Sequence, residues 1–187
     1  MLDGMEALFT GALGLTPPWQ VSSVRFAPEE HAIHFDVICA ATRLPCPQCA
    51  APDQPIHDRL KRDWQHLHFF QYRAFIHAEV PRVRCAVCAG KGDGEVRQVA
   101  VPWSRERSGF SLLFEAMVVT LAGMSRMPVR QIGALLGVND ARLWRSLGAL
   151  VDVAYAKADM RGVKTIGIDE KNIGRGRVVT VVHEGLS

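Results

Sequence analysis

The sequence predicts an α+β fold built from several modules, and three observations carry that expectation. Apolar residues alternate at period two over 19–37, and β-branched and aromatic residues crowd 69–83, the signature of strands. After Ser108 the apolar spacing changes to the three-and-four repeat of helices. Two C-x-x-C pairs, 46–49 and 85–88, flank the second strand-like region. At 187 residues the chain has room for one ordinary domain or two or three small modules.

The elements follow in order. Trp19, Val21, Val24 and Phe26 form one alternating run, and Ile33, Phe35 and Val37 form another. The polar break Ala27-Pro28-Glu29-Glu30 between them predicts a β-hairpin. Residues 44–54, rich in Pro and Ala around Cys46 and Cys49, read as a knuckle-like loop. Strands are expected over Phe69 to Val83, and a loop over Ala89 to Glu95, which holds Gly90, Gly92 and Gly94. Phe110, Leu113, Phe114, Met117, Val118 and Leu121 make one helical stripe. Pro128 suits the first turn of a second helix, with Val129, Ile132, Leu135 and Leu136 inward and Gly137 ending it. Asn139 or Asp140 can cap a third helix with Leu143, Leu147, Leu150 and Val151 inward. Arg161-Gly162 reads as a linker, followed by strands over 165–169 and 177–183 that Gly174 and Gly176 separate.

Composition excludes several classes. With 48% hydrophobic and 22% charged residues the chain is neither disordered nor fibrous. It has no apolar run long enough to span a bilayer. Its apolar start carries Asp3 and Glu6 and lacks the basic flank of a signal peptide. A reducing compartment is therefore expected, where cysteines serve as thiols or metal ligands. The net charge of +3 is unevenly spread: 1–56 has 2 basic and 6 acidic residues, 57–107 has 10 and 6, and 108–187 has 10 and 7. An acidic head before a basic body suggests modules with different tasks.

The pairs Cys46-Pro47-Gln48-Cys49 and Cys85-Ala86-Val87-Cys88 carry the most specific chemistry. Two thiolates three positions apart on a tight turn reach one ion, and two such turns close a tetrahedron. A four-sulfur shell leaves no open position, so zinc there is structural. Such an ion folds a small β module that buries little core by itself. Four reduced thiols are the alternative. His57, His66, His68 and His77 lie between the pairs and are expected in the hairpin rather than on the metal. Cys39 is expected as a small buried apolar residue. The same module carries Arg59, Lys61, Arg62, Arg73, Arg82 and Arg84 among Trp64, Phe69, Phe70 and Tyr72. That mixture suits phosphate contact, and equally a solvated strand face.

Residues 128–150 have the layout of a helix-turn-helix, in which the second helix enters the major groove. The candidate base readers are Asn139, Asp140, Arg142 and Arg145, while Arg130 and Gln131 on the first helix suit backbone phosphates. A plain helical bundle with solvated arginines is the alternative. Near the end, Gly167-Ile168-Asp169-Glu170 closes a strand with carboxylates of the kind that hold divalent metals. A single Asp-Glu pair also serves as a turn or cap.

Taken in order, CPQC (46–49), DWQHLHFFQYRAFIHAEVPRVRC (63–85), VPWSRERSGFSLLFEAMVV (101–119), PVRQIGALLGVNDARLW (128–144) and IGIDEKNIGRGRVVTVV (166–182) resemble the ISL3 family of bacterial insertion-sequence transposases. The resemblance covers roughly residues 40–187, and W-x-x-L followed by VRC is its specific mark. It implies a zinc-binding domain and a helix-turn-helix ahead of an RNase H-like catalytic domain. That domain carries three carboxylates on two metal ions, Mg²⁺ or Mn²⁺. By resemblance Asp169 is the first of them, and the second Asp and the Glu are expected downstream of residue 187; Glu170 and Glu184 are not assigned to those roles. The modules implied are 1–43 with the hairpin, 44–107 with zinc, 108–160 with the helix-turn-helix, and 161–187 as the start of the catalytic domain.

The expected function is recognition of the terminal inverted repeats of an insertion sequence, with self-association, in the bacterial cytoplasm at the nucleoid. The chain itself is expected to be catalytically incomplete, as a truncated gene copy or an expressed fragment. Expected DNA contacts are Arg59, Lys61, Arg62, Arg82, Arg84, Arg130, Gln131, Asn139, Arg142 and Arg145. The rivals are an autonomous DNA-binding regulator, a complete metal-dependent nuclease, and a zinc-stabilised protein-interaction module.

Overall fold

The computed structural model describes residues 4–89, 96–124, 127–159, 161, 163, 165–172 and 178–184. The glycines expected in loops and linkers at 90, 92, 94, 162, 174 and 176 lie outside them. The chain divides into two units, Met1–Leu147 and Gly148–Ser187. The architecture is mixed α+β.

The first unit begins with helix α1 (Gly4–Ala12), which is not among the elements expected from the sequence. Its Phe9 ring packs on Phe35, with centroids 4.9 Å apart, and the backbone N–H of Val21 donates to Thr10 Oγ1 at 2.9 Å. The expected hairpin follows as β1 (Trp19–Ala27) and β2 (Ala32–Cys39), antiparallel, with one turn of 3-10 helix (Pro28–Glu30) at the break. His31 takes the left-handed conformation that closes that turn.

After the two-residue strand β3 (Arg43–Leu44) come the long strands β4 (Gln54–Phe69) and β5 (Tyr72–Arg84), paired antiparallel. The strand-rich stretch Phe69–Val83 is thus a turn and one strand, and its hairpin partner lies upstream. Strand β4 escaped the period-two reading because residues 59–63 are all exposed, so neither face shows an apolar alternation. A short β6 (Val96–Gln98) pairs with β5. The sheet order is β1-β2-β5-β4-β3, with β2 and β5 parallel, so the N-terminal hairpin and the cysteine-bearing hairpin share one sheet. Trp103 fills its core, edge-on to Trp19 at 5.0 Å and to Trp64 at 5.4 Å, above Val21, Val37, Ile76, Val80 and Val83.

Three helices follow: α2 (Leu112–Met124), α3 (Val129–Leu136) and α4 (Asp140–Lys157), the last crossing the boundary between the units. A second core joins Phe110, Phe114, Val118, Ile132, Leu136, Val138 and Leu143. Leu113, Met117, Leu135 and Val151, expected inward, are exposed. Helix α2 is apolar nearly all round, so its sequence offers several equivalent stripes; the one buried follows Phe110, Phe114 and Val118 at steps of four. On α3 the pair Ile132 and Leu136 points inward, and Leu135 lies a helical step away.

In the second unit the two expected strands are present as β7 (Ile166–Asn172) and β8 (Val178–Glu184), and they pair antiparallel, with Asp169 opposite Val181. Among the described residues no helix is long and apolar enough to cross a membrane.

Candidate metal centre and nucleic-acid interface

The cysteine pairs converge as their spacing predicts. Strand β4 and strand β5 are in register, so the turn before one and the turn after the other come together at the same end of the hairpin. The Sγ atoms of Cys46, Cys49, Cys85 and Cys88 all lie within 4.8 Å of one another. Cys46 and Cys88 are 3.9 Å apart and Cys49 and Cys85 are 3.5 Å apart. A tetrahedral ion with Zn–S of about 2.3 Å sets sulfurs about 3.8 Å apart, so the cluster fits zinc. Cys46, Cys85 and Cys88 are buried. The backbone N–H groups of Cys49 and Gln48 hold the Cys46 thiol down to about 6. The neighbouring sulfurs, Cys49 first, push the Cys88 thiol up to about 12. Four thiols this close need a cation before all can ionise, and a coordinated metal supplies that charge.

Gln54 braces the two knuckles. Its Oε1 accepts the N–H of Ala86 at 3.1 Å and its Nε2 donates to Pro52 O at 2.6 Å. The left-handed Ala50 and Asp53 turn the first knuckle back towards β4. Cys39 sits in the sheet core, outside the cluster.

The far end of β4 grips the helices. Backbone groups of Gln65 bond both Gly109 and Ser111, each at 3.0 Å. The Gln65 side-chain Nε2 donates to Leu136 O at 3.1 Å, and His68 Nε2 reaches the same oxygen at 3.3 Å. That carbonyl is one of the orphans at the C-terminus of α3, so a strand of the zinc module caps a helix of the helical region. His66 Nδ1 lies 2.8 Å from Ser111 Oγ, and burial keeps its imidazole below the ordinary range.

The turn between α3 and α4 is as expected. Gly137 is left-handed, with φ +64°, and a Cβ on Gly133 would stand 2.6 Å from Val138 O. These two glycines let the chain reverse against its own helix. Asn139 caps α4: its Oδ1 accepts the N–H of Ala141 at 2.9 Å. Across the core, Glu115 of α2 is 3% exposed. It accepts from Arg105 Nε at 3.0 and 2.9 Å, from Ser108 Oγ at 2.8 Å and from Ser146 Oγ at 2.6 Å.

The residues read as DNA contacts fall into two groups. On the sheet, Arg82 is paired with Asp58, Arg59 donates to the carbonyls of Cys39 and Ala41, Arg84 leans on His57, and Lys61 stands 3.9 Å from Glu79. Arg62 is exposed. From residue 57 to 64 the outer edge of β4 is unpaired among the described residues, and charged side chains there also deter pairing with another strand. On the helices, Arg130, Gln131, Arg142 and Arg145 are exposed. Arg142 lies over the Phe110 ring at 4.7 Å, which draws it towards α2. Asn139 is spent on its cap. Sequence patterns do not single out Gln54, Gln65 or Glu115; Trp144, an exposed aromatic on α4, has a signal in the helical spacing. Asp169 and Glu170 are exposed on β7, and among the described residues only the four cysteines form a ligand cluster of three or more.

Two family models match the chain side by side. Residues 43–88 match the zinc-finger of transposase IS204/IS1001/IS1096/IS1165, and residues 99–147 match the helix-turn-helix domain of transposase family ISL3. Relatives include the transposase for insertion sequence element IS1557 from two strains of Mycobacterium tuberculosis, CDC 1551 / Oshkosh and H37Rv. Each is 31% identical over 128 residues, covering 65% of this chain and 26% of the relative. The chain thus aligns with about a quarter of the length of these relatives. No solved structure matches it. The four-cysteine knuckle, the helix-turn-helix braced on its hairpin and the two matching models agree: the chain belongs to the ISL3 family of transposases.

Proposed function

We propose that this chain is the DNA-recognition part of an ISL3 transposase, binding the terminal inverted repeats of its insertion sequence. The observation that carries the reading is the helix-turn-helix whose first helix is capped by Gln65 and His68 of the zinc-bearing hairpin. Zinc fixes the knuckles, the knuckles fix the hairpin, and the hairpin fixes the attitude of α4. Helix α4 enters the major groove, and Arg145 lies on its exposed face. Arg130 and Gln131 contact the flanking backbone, and Arg62 adds a phosphate contact from the sheet. The other cationic side chains of the sheet join by exchanging their internal partners for phosphates.

In this reading residues 44–107 are the zinc module, 108–160 the helix-turn-helix region, and 161–187 the start of an RNase H-like domain. Asp169 is its first metal-binding carboxylate, for Mg²⁺ or Mn²⁺, and strand transfer requires the remaining carboxylates of the family. Self-association at paired ends, in the cytoplasm at the nucleoid, completes the picture.

The test is the salt dependence of binding to a random-sequence duplex pool. Each phosphate contact contributes about 0.9 to the slope of log K against log salt. A linear fall steep enough for several contacts is expected. No binding at low salt, or a flat response, would overturn the reading.

A further inference from the structure

The chain has four tryptophans, and the structure treats one of them differently. Trp19, Trp64 and Trp103 are 6%, 4% and 6% exposed in the sheet core, whereas Trp144 is 60% exposed. It stands on α4, one turn past the Asn139 cap. Leu143 and Ser146 of the same helix are buried, so they define its inner face. Ala141, Trp144, Arg145 and Gly148 are all exposed and recur at steps of three and four. They form the outer stripe of the helix. Arg142 is exposed as well, but it lies off this stripe and is held over Phe110. The residue that accompanies Arg145 outward is therefore an indole.

We propose that Trp144 is a base-contacting residue of this protein, packing its indole against thymine C5-methyl groups in the major groove. The inference rests on the DNA-binding reading above. A large exposed aromatic in the N-terminal half of the second helix of a helix-turn-helix sits where side chains reach base edges. The major-groove edge of a base pair offers an apolar ring one apolar partner, the thymine methyl. Charge favours the same occupant. The side chains of α3 and the first half of α4 include Arg130, Arg142 and Arg145 against Asp140 alone, which complements a polyanion. The indole supplies the apolar part of recognition, and Arg145 beside it supplies charge and hydrogen bonds.

The test uses the whole 187-residue chain and duplexes enriched on it from a random pool. The three core tryptophans are shielded, so acrylamide quenching of the exposed fluorescence reports Trp144. DNA is expected to protect that component, and Trp144→Phe should lack it from the start. The same duplexes made with deoxyuridine in place of thymidine should bind about fourfold more weakly per lost methyl contact, the worth of one buried carbon. Trp144→Ala should abolish that difference while retaining its zinc and circular dichroism; Trp144→Phe, which preserves an aromatic ring, should keep part of it. Equal binding of the two duplex types by the wild-type chain, or an indole still quenched when DNA is bound, overturns the proposal and leaves the DNA reading standing. Quenching that depends on protein concentration without DNA assigns the indole to a second copy of the chain and also overturns it. Absence of any DNA binding overturns both.

Discussion

Ser146 of α4 donates its hydroxyl hydrogen to Oε1 of Glu115 on α2 at 2.6 Å, inside the helical core. The same carboxylate receives Arg105 and Ser108 from the segment that leads out of the sheet. One buried anion thus ties the inner face of α4 to α2 and to the linker. A carboxylate is tolerated there because each of its oxygens has a partner and Arg105 supplies the opposite charge.

Removing that charge should be costly. Glu115→Gln leaves the Arg105 guanidinium facing a neutral amide, with an expected loss of about 3 kcal/mol. Ser146→Ala removes one charge-assisted hydrogen bond, with a loss of about 2 kcal/mol. Urea denaturation midpoints check both, and because the two groups touch, the double variant should lose less than the sum. Stability within about 0.5 kcal/mol of wild type for Glu115→Gln would contradict the network's role.

The turn before α4 has no spare room. Gly133→Ala places a methyl 2.6 Å from Val138 O, a backbone atom that cannot swing aside. The expected loss is about 1–3 kcal/mol, with DNA affinity falling as α4 is displaced. Unchanged melting and unchanged binding would show that the turn is looser than its geometry.

The metal assignment separates the cysteines. Cys85→Ser should lose the bound zinc and the fold of the knuckles, because four sulfurs share one ion. Cys39→Ser should keep one zinc per chain and lose only core stability, since Cys39 packs in the sheet core. Elemental analysis of the two purified variants decides it, and full zinc content in Cys85→Ser would refute the site.

Stability should fall on mild acidification. His34 is buried and its imidazole is held below the ordinary 6.5, first by burial, then by Arg25 and His77, with Glu30 opposing. Burial does the same to His66. An imidazole kept neutral in the native state takes up its proton on unfolding, so the contribution is complete above about 6.5 and declines as pH drops below it. Urea midpoints between pH 8 and 5 should show the decline, and His66→Gln should make it shallower at equal zinc content. An identical slope in that variant would remove His66 from the account.

Much of this was legible in the residues themselves. The C-x-x-C spacing named all four sulfurs, Pro128 marked the start of α3, and Gly137 and Asn139 marked the turn after it, because caps and tight turns demand particular residue types at fixed positions. Strand β4 was not legible, since its exposed polar middle has no apolar rhythm. Nor were Gln65, His68 and Glu115: a polar residue that serves a partner 31 to 71 positions away leaves no local trace. Arg142 shows the converse limit, since helical spacing put it beside Arg145 but not over the Phe110 ring.

The claim on which the rest depends is that metal, hairpin and recognition helix act as one body. DNA affinity of the zinc-loaded chain, measured before and after removal of the metal by a chelator at constant salt, tests it most directly. The account predicts one zinc per chain, loss of sequence-selective binding on chelation, and recovery when zinc is returned. A metal-stripped chain that keeps its affinity and selectivity would contradict it.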